Sequence, residues 1–144
     1  MDVFVANEQT IAVDETKLGA LARHVLASEG IDDGAELSVL LVTSGHIQRL
    51  NHRFAGNDYP TDVLSFPMME DEETTMLLGD VVICPEVADK HASEYGQTLA
   101  QELDALVVHG TLHLLGYDHQ NDEEKSRMNG RAEEILRNFD QTAV

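Results

Sequence analysis

The stretch TLAQELDALVVHGTLHLLGYDH, residues 98–119, decides the architecture of this chain. Thr98 and Gln101 have the spacing of a capping box, in which the two side chains satisfy free N–H groups at the start of a helix. Gly116 is typical of a helix end, because glycine readily adopts the left-handed conformation found there. The apolar positions between these signals point in nearly every direction, which predicts a central, buried helix. They are Leu99, Leu103, Leu106, Val107, Leu112 and Leu114.

The sequence on either side of this helix predicts eight further elements. Apolar runs indicate four strands, at residues 3–6, 37–43, 63–66 and 78–84. Start signals indicate four more helices: Asp14 as a cap, Ser44 as a cap with a stop near Gly56, Pro85 as a first helical residue, and a capping box at 121–124. The last two strands can pair antiparallel across the acidic segment 68–75, which we expect to be a solvated loop. The order βαβαββααα predicts a single α+β domain over residues 1–144, with a mixed sheet of about four strands layered against helices.

The composition is that of an ordinary globular domain, apart from its charge. Of the 144 residues, 42% are hydrophobic and 25% are charged, which argues against disorder. Nine Lys and Arg against 27 Asp and Glu give a net charge of −18. Nucleic-acid binding by counterion release needs clustered Lys and Arg. Composition alone therefore disfavours a nucleic-acid partner, and solubility explains the acidity more simply.

Nothing in the sequence indicates export or membrane insertion. The apolar runs are too short to cross a bilayer. The chain begins Met1-Asp2 and has its first basic residue at Lys17, unlike a secretory signal peptide. The lone cysteine, Cys84, cannot form an internal disulfide and is expected to be a small buried hydrophobic residue. We therefore expect a cytoplasmic protein that contacts no membrane.

Three histidines at the end of the central helix indicate a metal site. His109 and His113 are four residues apart, so their imidazoles lie on one helix face, one turn apart. A left-handed turn at Gly116 would then bring His119 back as a third ligand. Three imidazoles with an open fourth position are typical of a catalytic zinc site. The alternative is three histidines that bind no metal, which would leave buried imidazoles without partners.

The residue after the first histidine separates this motif from that of the metzincin peptidases, which has the same histidine spacing. Those enzymes place a glutamate there as general base, whereas this chain has Gly110. Glycine within a helix costs about 1 kcal/mol relative to alanine. We therefore expect another element to pack closely against the backbone at Gly110, and we regard a peptidase as the less favoured interpretation.

The sequence resembles the YbeY-type endoribonucleases, also called rRNA maturation factors. Residues 109–119 match the family signature H-G-x-L-H-L-x-G-Y-D-H without a mismatch. Upstream, Leu50-Asn51, PTDVLSFP at 60–67 and LGDVVI at 78–83 match further family blocks in the same order. The resemblance implies a cytoplasmic, single-strand-specific, metal-dependent endoribonuclease that acts in 16S rRNA 3′-end maturation and ribosome quality control. It also implies zinc bound by His109, His113 and His119, one ion per chain, although another divalent transition metal is possible.

One residue departs from the family pattern. An arginine usually follows the aromatic residue that is Phe54 here, and this chain has Ala55 instead. Phosphodiester cleavage builds negative charge that a nearby cation stabilises. Arg53 is about 200° away around a helix, so it would replace the missing arginine only if the helix frayed. Together with the charge of −18, the loss of this arginine weakens the expectation of unaided RNA cleavage.

The remaining candidate residues have weaker support. Thr61 and Ser65 fall on one face of an extended run and are expected either to bind substrate or to satisfy local hydrogen bonds. Glu102 is expected either to orient a ligand or to be an exposed first-turn carboxylate, and His91 to be an ordinary helix residue. Expected partners are ribosomal RNA and the small ribosomal subunit, for a monomer or weak oligomer. Two alternatives stay open: a zinc amidase or peptidase, and a ribosome-assembly factor whose zinc is chiefly structural.

Overall fold

A computed structural model describes residues 2–68 and 76–142 of the chain, and these residues form nine elements in the predicted order. The strands are β1 (Asp2–Asn7), β2 (Ala35–Leu41), β3 (Val63–Pro67) and β4 (Met76–Ile83). The helices are α1 (Glu15–Ser28), α2 (Ser44–Ala55), α3 (Pro85–Glu94), α4 (Leu99–Leu114) and α5 (Asp122–Thr142).

The four strands form one mixed sheet in the order β1-β2-β4-β3. β1, β2 and β4 run parallel, and β3 pairs antiparallel with β4. This arrangement confirms the predicted α+β class, the four-stranded mixed sheet and the antiparallel pair. The expected acidic loop falls largely on residues 69–75, which lie outside the described part of the chain.

Local capping chemistry sets the helix boundaries. The Asp14 side chain accepts a hydrogen bond from the Lys17 backbone, and Thr98 and Gln101 form the predicted reciprocal box. The cap of α2 is Thr43 rather than Ser44. Thr43 has extended backbone angles and its hydroxyl accepts from the His46 N–H, whereas Ser44 is already helical. The prediction was wrong by one residue because two adjacent hydroxyl residues give the same sequence signal.

Helices cover both faces of the sheet, and α4 is the central one. One core joins α1, α4 and α5 to one face, while a smaller core joins α2 to the other. α4 contacts α1, α3, α5, β3 and β4, which confirms its predicted central position. Cys84 is fully buried, as expected. Among the described residues, no helix is both long enough and apolar enough to cross a membrane.

Candidate metal centre

The three motif histidines line one cavity, where β3, α4 and α5 meet. Its volume is about 400 Å³. His109 is half-buried, and His113 and His119 are exposed at its surface. The other polar side chains of the lining are those of Ser65, Lys125 and Asn129.

A backbone carbonyl fixes the orientation of the His109 ring. Its Nδ1 lies 2.8 Å from the Ala105 carbonyl oxygen, which can only accept a hydrogen bond, so Nδ1 carries the proton. Its Nε2 lies 3.3 Å from Asn129 Oδ1, within the lining of the cavity. Metal-binding histidines commonly donate one ring N–H to a backbone carbonyl and present the other nitrogen to the ion. The surroundings of His109 therefore suit its use as a metal ligand.

The turn after α4 brings the third histidine towards the second. Gly116 has φ of +104°, the predicted left-handed region. The rings of His113 and His119 are stacked with their centroids 6.1 Å apart and their planes at 27°. The structure thus places all three imidazoles in the lining of one cavity, although their donor atoms do not all lie within 4.8 Å of one another. Their role as metal ligands stays a prediction.

Gly110 allows β3 and β4 to pack directly against α4. A Cβ atom at this position would lie 2.6 Å from Val81 Cγ1 and 3.3 Å from Ser65 Oγ. The Ser65 hydroxyl donates to the Gly110 carbonyl oxygen at 3.2 Å. This close approach confirms the packing expected from the sequence and leaves no space there for a glutamate.

The structure places the two candidate substrate residues differently. Ser65 lines the cavity, although its hydroxyl is hydrogen-bonded to α4. Thr61 precedes β3 and is not part of the lining, and its hydroxyl lies 3.4 Å from the Asp62 carboxylate. The alternation that would align these residues holds only within a strand, and β3 begins at Val63.

A second group of potential ligands lies outside the histidine motif. Among the described residues, Asp62, His91 and Glu102 are the three side chains whose donor atoms all lie within 4.8 Å of one another. His91 Nδ1 donates to Asp62 Oδ2 at 3.2 Å. Burial raises the pKa of the Glu102 carboxyl, and the nearby Asp62 charge raises it further. Sequence spacing could not identify this group, because its members come from a loop and two different helices.

Comparison with known proteins identifies the family. The family model for Endoribonuclease YbeY matches residues 4–140. The chain belongs to the endoribonuclease YbeY family. It is 47% identical to Endoribonuclease YbeY of Pelotomaculum thermopropionicum, covering 94% of this chain and 95% of that protein. It is 42% identical to Endoribonuclease YbeY of Bacillus licheniformis, covering 92% and 91%.

A solved structure has a similar fold. The solution structure of TM1509 from Thermotoga maritima superimposes with a TM-score of 0.63 at 30% sequence identity. The match covers 98% of this chain and 93% of TM1509.

Ala55, where the resemblance to the family implies an arginine, is exposed. Ala55 is the last residue of α2, which stays helical to that point. The Arg53 guanidinium lies over the Phe54 ring, 5.2 Å from its centroid. Arg53 is therefore engaged with the Phe54 ring.

Proposed function

We propose that this chain is a single-strand-specific endoribonuclease whose zinc ion is held by His109, His113 and His119. The observation that carries the proposal is the convergence of three imidazoles on one cavity, with His109 oriented by a backbone carbonyl. An all-imidazole ligand set favours zinc, although other divalent transition metals bind such sites. Membership of the endoribonuclease YbeY family supports RNA as substrate.

The chain's own residues prepare the cavity for phosphodiester hydrolysis. A zinc ion at the histidines would lower the pKa of a water molecule towards neutrality and so supply the nucleophile. Ser65 and Gly110 lock β3 against α4 and fix one wall of the cavity. Lys125, the one lysine or arginine in the described lining, places an ammonium group where an RNA phosphate would enter. We assign to Lys125 the charge stabilisation that Ala55 cannot provide.

We further propose that the substrate is the 3′ end of 16S rRNA on the small ribosomal subunit, in the cytoplasm, and that residues 1–144 act as one domain. The resemblance of the sequence blocks to the rRNA maturation factors supports this substrate. A chain of net charge −18 repels free RNA. Basic ribosomal proteins would offset that repulsion, so we expect weak cleavage of naked RNA and faster cleavage in a ribosomal context.

The activity can be tested with fluorescent single-stranded RNA, a matched duplex and casein, each with and without a chelator. We expect cleavage of single-stranded RNA alone, lost with chelator and in His113→Ala. The control is His46→Ala on α2, which is outside the lining of the cavity. Cleavage of casein would favour the peptidase alternative. Binding to ribosomal subunits by a folded protein that cleaves no RNA would favour the assembly-factor alternative.

The role of Lys125 can be tested separately. Lys125→Met should lower kcat/KM for RNA by about tenfold or more, because a positioned cation at a developing charge contributes about 10²–10³ in the best cases. Lys90→Met removes the same charge from an exposed position on α3. Equal losses in the two variants would show that only bulk attraction of RNA had been removed.

A further inference from the structure

We propose that Asp62, His91 and Glu102 form a second divalent-cation site, separate from the three histidines. One donor atom from each side chain lies within 4.8 Å of the other two, and all three residues are half-buried. The ligands would be one imidazole and two carboxylates. This set differs in chemistry from the imidazoles that line the cavity.

The fold holds these three side chains in place. The Asp62 carbonyl oxygen accepts from the Cys84 N–H at 2.9 Å, which fixes Asp62 beside the end of β4. The preceding segment is also fixed, because the buried Asn51 side chain donates to the Tyr59 carbonyl oxygen at 2.9 Å. His91 and Glu102 lie on α3 and α4, two helices that pack against each other. A site on anchored elements needs little ordering when an ion binds.

The charges of the cluster favour a cation. Over residues 2–68 and 76–142, neither carboxylate forms an ion pair with a lysine or arginine. The Asp62 carboxylate contacts His91 and the Thr61 hydroxyl, neither of which is a permanent cation. Asp104, a half-buried carboxylate two residues after Glu102, differs because Lys17 pairs with it at 2.9 Å. Two neighbouring, half-buried carboxylates with one imidazole beside them retain negative charge that a divalent ion would neutralise.

The distances and donor types indicate the class of ion. Two ligand atoms that each lie about 2.1 Å from one ion, at right angles about that ion, are about 3.0 Å apart. This separation is close to the 3.2 Å between His91 Nδ1 and Asp62 Oδ2. An ion would then replace the proton that these two atoms share. Carboxylates suit Mn²⁺ and Mg²⁺, while imidazole favours transition metals over Mg²⁺ and Ca²⁺. Mn²⁺ satisfies both preferences and is the probe of choice.

A cation here would lie close to the histidine cavity. Asp62 adjoins Val63, which lines the cavity, and His109 is near enough to affect the pKa of Glu102. The bound ion would place positive charge beside the path of an RNA phosphate in a strongly acidic chain. This consequence for RNA rests on the proposed function, whereas cation binding itself does not.

The experiment titrates the chelator-treated full chain with Mn²⁺ and measures free Mn²⁺ by electron paramagnetic resonance. We expect two bound ions per wild-type chain. His91→Gln and Glu102→Gln should each weaken the binding of one of the two ions by at least about tenfold. Loss of a ligand has a larger effect than loss of a residue that only hydrogen-bonds to a ligand. His113→Ala should lose the other ion. Asp89→Asn, an exposed change on α3, is the charge-matched control and should keep both.

Two results would overturn the second site. These are equal affinities for every bound Mn²⁺ in Glu102→Gln and Asp89→Asn, or loss of all binding in a folded His113→Ala. Circular dichroism checks the fold of each variant, and His91→Gln serves if Glu102→Gln fails to fold. Failure of the proposed function has a different signature: the wild type would leave RNA uncut, or RNA cleavage would survive in His113→Ala, whatever the Mn²⁺ count.

Discussion

Gly110 is a residue at which any side chain would collide with the sheet. A Cβ atom would lie 2.6 Å from Val81 Cγ1, well inside the ordinary carbon–carbon separation of about 3.5–4.0 Å. Alanine gains about 1 kcal/mol in helix propensity, but overpacking costs about 1–3 kcal/mol and also separates Ser65 from the α4 backbone. We expect Gly110→Ala to lower the free energy of unfolding, measured by urea denaturation.

Gly130 provides the matched control on α5. It is exposed, and nothing lies within 4 Å of a Cβ atom built there. Gly130→Ala should therefore raise the free energy of unfolding by about 0.5–1 kcal/mol. If both substitutions stabilised the protein, the contact between α4 and β4 would be looser than the structure shows.

A second prediction for a single residue concerns the buried hydroxyl of Thr111. It is fully buried, and its hydroxyl has no hydrogen-bond partner among the described residues. Removing an unsatisfied buried hydroxyl while keeping the side-chain shape should stabilise the fold, so Thr111→Val should raise the free energy of unfolding by about 1 kcal/mol. Thr98→Val removes a hydroxyl that caps α4 and should lower it by about 1 kcal/mol. A destabilised Thr111→Val would show that the hydroxyl has a partner, such as a buried water.

At the scale of elements, Arg131 ties α5 to the end of α1. Its Nε donates to Glu29 Oε2 and its Nη2 to the Ser28 carbonyl oxygen, each at 2.7 Å, and it also pairs with Glu134. Lysine has a single ammonium group and cannot reproduce this planar set of N–H donors. Arg131→Lys should lower the free energy of unfolding by about 1–3 kcal/mol, because the Glu29 carboxylate is largely buried.

The control for these contacts of Arg131 is Arg127→Lys, one turn earlier on α5. Arg127 pairs with Glu123 at 3.5 Å, and both side chains are exposed. Such a pair contributes about 0–1 kcal/mol, so the substitution should leave the melting temperature almost unchanged. Equal shifts of the melting temperature in the two variants would mean that the loss of arginine affects α5 itself and not its contact with α1.

At the scale of the whole molecule, the net charge of −18 opposes folding. The distance over which charges act falls from about 30 Å at 0.01 M salt to about 8 Å at 0.15 M. Raising KCl over this range in a chelator-treated sample should raise the melting temperature by several degrees, as each 1 kcal/mol shifts it by about 2–4 °C. A falling melting temperature would mean that ion pairs such as Lys17–Asp104 outweigh the repulsion.

Local chemistry explains why the sequence predicted the elements well. Caps, Pro85 and the glycines at helix ends act within a few residues, so their positions can be read along the chain. All nine elements appear in the predicted order. Errors are confined to boundaries, such as Thr43 for Ser44, and to Thr61, whose position depends on where β3 begins.

The sequence by itself determined the order of the elements, the central helix and the histidine motif, because each rests on residues within one or two turns of one another. Only the tertiary structure decided that Val81 and Ser65 occupy the space beside Gly110. It also decided that Asp62, His91 and Glu102 meet, although they lie far apart in the sequence. Spacing within one helix is fixed by the backbone, whereas the meeting of separate elements depends on how the whole core packs.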